Sequence, residues 1–195
     1  YLEKRRYNDA ASAYEAFTEL NPAHKLSPHF SMRVVEIYEA GNFPKLVLAS
    51  KKKFAASYGL ASAYWQHESA AGAPEVLDYL KGNLEDLANH YHALYQNTDR
   101  SEDKPAHFTE SALWYRTFLR SFPAEVETPG IHYQLADLLL QNEDFSSAAN
   151  EYEHIAYDYP AHDRAAAAGY AAIFSHRQYE KQVTEADLES ARRES

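Results

Sequence analysis

The chain has no cysteine, a single methionine, only 6 glycines and no long apolar run among its 195 residues, and each scarcity closes off a class of protein. Without cysteine there are no disulfides, no thiolate metal sites and no cysteine nucleophiles. Cysteine avoidance also suits an oxidising compartment. The longest apolar candidate, residues 165–174, is short and mostly alanine, against the roughly 18 residues needed to cross a bilayer. No HExxH, glycine-rich phosphate loop or GxSxG occurs, so the motifs that carry specific catalytic chemistry are missing. Positive charge is in deficit too. A net charge of -10 and a pI near 5.4 oppose nucleic-acid binding, because an acidic surface gains no counterion release from a polyanion.

What is present is enough for a sizeable core, with 45% hydrophobic and 14% aromatic residues. The few glycines and 8 prolines fall mostly between apolar-periodic stretches, which is the punctuation of helices joined by short turns. The periodicity predicts helices at about 3–20, 29–40, 44–57, 74–96, 107–121, 130–141, 145–158, 162–179 and 184–194. Thr184 followed by Asp187 resembles a capping box opening the last of them.

One spacing occurs three times: Tyr7, Ala10, Tyr14, Phe17, Pro22; Phe108, Ser111, Tyr115, Phe118, Pro123; and Phe145, Ala148, Tyr152, Ile155, Pro160. Each series steps by three, four, three and five, so the first four residues trace one helix face and the proline falls beyond its end. Such a helix is half of a helix-turn-helix repeat, which buries its apolar face only by stacking on a neighbour. In the last copy His132, Leu135, Ala136 and Leu139 supply the preceding helix. A further copy starting at Phe43 is degenerate, since Lys53 occupies a position that should be apolar. The period fails over a connection at about 60–73 and a polar loop at about 98–106.

These repeats resemble the tetratricopeptide family. The segments around Tyr115–Pro123 and Tyr152–Pro160 are similar in wording to bacterial outer-membrane assembly lipoproteins of the BamD type. The resemblance implies an all-α, right-handed superhelical solenoid of about nine helices, one segment over residues 1–195. It also implies a non-catalytic scaffold that binds a peptide or partner protein on its concave face, in the periplasm or at the outer membrane, with a cytoplasmic location as the alternative. No enzyme activity, cofactor or metal is expected. Rival readings are a substrate-presenting module of a larger enzyme and a structural spacer. Because the chain opens at Tyr1 with no methionine and its first repeat starts in the second helix, it is expected to be a piece of a longer protein.

In that family the first helices of the repeats line the concave surface. Registering them on Leu84, Leu87, Ala88 and Tyr91, and on Leu135 and Ala136, turns Glu85, Asn89, His92, Tyr133, Asp137 and Gln141 toward the groove. These side chains would hold an extended peptide by hydrogen bonds to its backbone. Tyr64 and Trp65 in the irregular connection are candidate interface anchors, or aromatic staples onto the solenoid. Lys51, Lys52 and Lys53 form a basic run, read as a solvated helix face or as a contact for an acidic partner or lipid head group. Among the ten histidines, His67, His90, His92 and His107 are the densest group. His90 and His92 point about 200° apart on a helix and cannot chelate one ion. Residues 165–172 are small and suit close helix packing.

Overall fold

The computed structural model describes the backbone of residues 6–194 and the side chains of residues 6–189. Among these residues there is no strand. The helices are α1 (Tyr7–Leu20), α2 (Ser27–Ala40), α3 (Pro44–Tyr58), α4 (Pro74–Asn97), α5 (Lys104–Ser121), α6 (Thr128–Gln141), α7 (Phe145–Tyr157) and α8 (Ala165–Glu194). Of the first predicted helix, residues 3–5 lie outside the described residues.

Two expectations are corrected. The predicted helices at 162–179 and 184–194 are one continuous helix, α8, so eight helices are described where nine were expected. No glycine or proline separates them, and the Thr184 hydroxyl donates to the Glu180 carbonyl one turn back, 2.8 Å away, instead of capping a new N-terminus. Helices α2, α5 and α6 also begin before their prolines, at Ser27, Lys104 and Thr128. Proline is accommodated in a first turn because its missing N–H has no partner there.

The chain divides into two compact units, Tyr1–His90 and Tyr91–Ser195, with the division inside α4. In the first, α1 packs on α2 and α2 on α3, around a core of Ala10, Ala11, Val34, Ile37 and Tyr38 flanked by Tyr7, Tyr14 and Val47. Phe54 of α3 meets Tyr79 of α4 with ring centroids 4.9 Å apart. In the second, α5, α6, α7 and α8 each pack on the next. Phe118, Leu135 and Ile155 are fully buried there, each contributing roughly 1.5–3 kcal/mol. The small helix face at the start of α8 lies on α7, with Ala168, Ala172 and Ser175 buried.

The two units carry the same three-helix module at a constant offset of 101 residues, pairing Tyr7 with Phe108, Phe17 with Phe118 and Pro22 with Pro123. The equivalence extends to hydrogen bonds. Ser27 Oγ donates to the Asn21 carbonyl at 2.5 Å and Thr128 Oγ1 to the Phe122 carbonyl at 2.6 Å. Ser31 Oγ lies 3.3 Å from the Tyr58 hydroxyl, where His132 Nδ1 lies 3.0 Å from the Tyr159 hydroxyl. The turns between the second and third helices place Asn42 and Glu143 in the left-handed region, at φ 57° and 60°, a conformation that Asn adopts more readily than Glu. By this register buried Phe54, not Lys53, stands where α7 has Ile155, and Lys51 stands where α7 has Tyr152. The degenerate copy is therefore one residue out of the expected alignment.

Candidate functional site

Polar side chains converge in the second unit, and four of them, His92, Tyr133, Asp137 and Gln141, come from positions that the helical register had singled out. His92, on the last turns of α4, is buried against Tyr115 of α5. Its Nδ1 lies 3.0 Å from the Tyr115 hydroxyl and its Nε2 3.3 Å from Gln141 Oε1 of α6. Gln96 donates to the same Gln141 oxygen at 3.0 Å, and the Tyr95 hydroxyl donates to the Gln141 carbonyl at 3.1 Å. One turn earlier on α6, Asp137 accepts from the Tyr152 hydroxyl. The Tyr152 ring meets that of Tyr133 at 5.2 Å, and the Arg164 guanidinium sits 5.3 Å from the Tyr133 centroid. These positions meet because residues three and four apart share one helix face: Tyr133, Asp137 and Gln141 follow at steps of four along α6.

Burial sets the electrostatics. It pushes the His92 imidazole below its ordinary value, against the Gln141 hydrogen bond and the Asp137 charge. It pushes the Asp137 carboxyl up, with the Tyr152 hydroxyl, His92 and Arg164 pulling the other way. Tyr152 is raised by burial first and then by its bond to Asp137. His92, Asp137 and Tyr152 are thus each held by a neighbour's hydrogen bond, while Gln141 remains exposed at the edge. The cluster carries an amide, a carboxylate and an aromatic face.

The other two expected groove residues, Glu85 and Asn89, are half-buried on α4 within the first unit. Asn89 lines a cleft there with Lys51 and Asp86. The aromatic pair of the irregular connection is corrected as an exposed anchor. Tyr64 is buried, with its ring 5.2 Å from that of Tyr58. Trp65 is half-buried, and its indole N–H donates to the Tyr58 carbonyl at 2.9 Å. Both act as staples that fasten a 3-10 turn at Ala63–Gln66 to the end of α3. The basic run is engaged by carboxylates within the protein: Lys51 with Asp86 and Glu39, and Lys53 with Glu19.

A second polar seam was missed. Buried His132 places Nε2 2.6 Å from Glu151 Oε2 while its Nδ1 faces Tyr159, and this contact holds the Glu151 carboxyl below its usual range. The sequence marks His132 as a seam position but does not mark Glu151, which lies outside the repeat spacing. Among the described residues no three His, Asp or Glu side chains converge as a metal site requires, and no helix is long and apolar enough to cross a membrane. No family model, curated protein or solved structure matches the chain.

Proposed function

We propose that this chain is a tetratricopeptide-like solenoid acting as a non-catalytic protein-interaction scaffold, and that α6 presents the peptide-binding face of its second unit. The observation that carries this reading is the row of Tyr133, Asp137 and Gln141 along α6, braced from behind by Tyr152, His92 and Arg164. Preorganised donors and acceptors recognise a peptide backbone without losing side-chain entropy on binding. The recurrence of a three-helix module supports the repeat architecture, since repeated modules stack by nearest-neighbour contacts. The absence of cysteine and the wording of the repeats support a place in the bacterial envelope, at the periplasm or outer membrane.

Panning a random peptide library against the full chain tests the reading. The scaffold reading predicts enriched peptides whose binding competes with one another and weakens in Tyr133→Ala and Gln141→Ala, with unchanged circular dichroism. A spacer, or a module that only presents an attached substrate, yields no enrichment at these residues.

A further inference from the structure

The two copies of the three-helix module differ most consequentially at one seam position. In α7 it holds Tyr152, fully buried. In α3 it holds Lys51, whose ammonium lies 2.5 Å from Asp86 Oδ2 and 3.6 Å from Glu39 Oε1. A linear side chain drawn toward two carboxylates leaves space that a ring would fill. Beside it in the first unit lies a cleft of about 440 Å³, walled by Phe43, Pro44, Val47 and Leu48, with Glu39 and Asp86 at its mouth.

The wall is preformed. Asn42, in the left-handed region, ends the α2–α3 turn, and Phe43 is set edge-on to Tyr7 and Tyr38 at 6.2 and 6.4 Å. Pro44 opens α3 with its backbone constrained. Two carboxylates line the cleft beside Lys51 and His90, and their side chains remain 51% and 61% exposed. Their field reaches beyond the cleft, since Tyr79 is raised by burial first and then by Glu39, Glu36 and Asp86. The volume is at the small end of ligand pockets, roughly 300–1,000 Å³. It admits a side chain or two rather than a folded element.

We propose that this cleft docks a basic segment of a partner protein, with one aliphatic or aromatic side chain against Val47 and Leu48 and a neighbouring Lys or Arg on Glu39 and Asp86. Apolar walls select the anchor, and the half-exposed carboxylates select the flanking cation. The proposal shares with the scaffold reading only that the occupant is a polypeptide. Its residues are separate from the Tyr133, Asp137 and Gln141 row, so either can fail without the other.

The test titrates the isotope-labelled full chain with three capped nonapeptides built on Lys-Leu-Lys, Glu-Leu-Glu and Lys-Ser-Lys repeats, following amide shifts by NMR. The expected result is that the Lys-Leu-Lys peptide shifts the amides of Val47, Leu48, Lys51 and Asp86 and binds about tenfold tighter than either control. Its affinity falls about fivefold in Asp86→Asn and in Glu39→Gln, and falls with added salt. Leu48→Arg, which puts a cation into the cleft, abolishes the shifts while the thermal melt shows a folded chain. Equal binding of all three peptides, preference for the glutamate peptide, shifts confined to other residues, or no binding by any peptide overturns the proposal. So does finding that the same amides shift with protein concentration alone, which gives the cleft to a second copy.

Discussion

Ser27 and Thr128 each bridge the end of one helix and the start of the next with a single hydroxyl, and both side chains are completely buried. Replacing Thr128 leaves the buried Phe122 carbonyl without that donor, at a cost of about 1–3 kcal/mol, whereas Asn21 is exposed and its carbonyl still accepts from the His24 N–H. Thr128→Val should therefore lower stability by that amount in urea denaturation, and Ser27→Ala by less. His92 gives a pH signature. Burial lowers its folded value below the ordinary 6.5, so the unfolded chain binds more protons as pH falls. The stability that neutral His92 supplies is full above 6.5 and is lost as pH drops through the folded value. The thermal midpoint should fall between pH 7 and pH 5, and fall less in His92→Gln. Glu151 adds a separate loss lower down, because its depressed carboxyl contributes above 4.5 and is lost as pH falls through its folded value. At this scale the sequence was partly legible. The hydroxyl five residues after each of Pro22 and Pro123 is visible in the chain, but periodicity arguments weigh apolar residues and pass over a buried Ser or Thr.

Helix α8 shows how far local sequence governs an element. Its small residues were legible as a packing face, and Ala168 and Ala172 lie buried on α7. Its length was not, because a threonine with an acid three residues later reads as a capping box whether or not the chain turns there. A β-carbon built on Gly169 meets nothing closer than 3.9 Å, at Ala156 and Tyr157. Gly169→Ala should therefore stabilise the chain by about 0.5–1 kcal/mol through helix propensity. Ala168→Leu should cost about 1–3 kcal/mol by overpacking the α7 contact. Calorimetric melts of the two variants should move in opposite directions. Shifts of the same sign would mean that α7 and α8 are not packed as described.

Across the whole molecule the legible feature was the repeat and the illegible one was its register. The thrice-repeated spacing identified α1, α5 and α7, yet the degenerate copy aligned on Phe43 hid the offset of 101 that makes Lys51 the counterpart of Tyr152. A lysine in a seam is read from sequence as a solvated residue, and only its carboxylate partners show otherwise. The shared face of Tyr133, Asp137 and Gln141 on α6 was legible from helical geometry; the staples Tyr64 and Trp65 were ambiguous because an aromatic residue serves a core and an interface equally well. Since Ser27 and Thr128 lie in different units and share no partner, the double variant should lose the sum of the two single losses to within about 0.5 kcal/mol. The scaffold reading itself is tested most directly by calorimetric titration of a library-selected peptide into the full chain and into Tyr133→Ala and Gln141→Ala. The account predicts that both variants stay folded and that each weakens binding by about tenfold, or 1.4 kcal/mol. Unchanged affinity in both folded variants would contradict it.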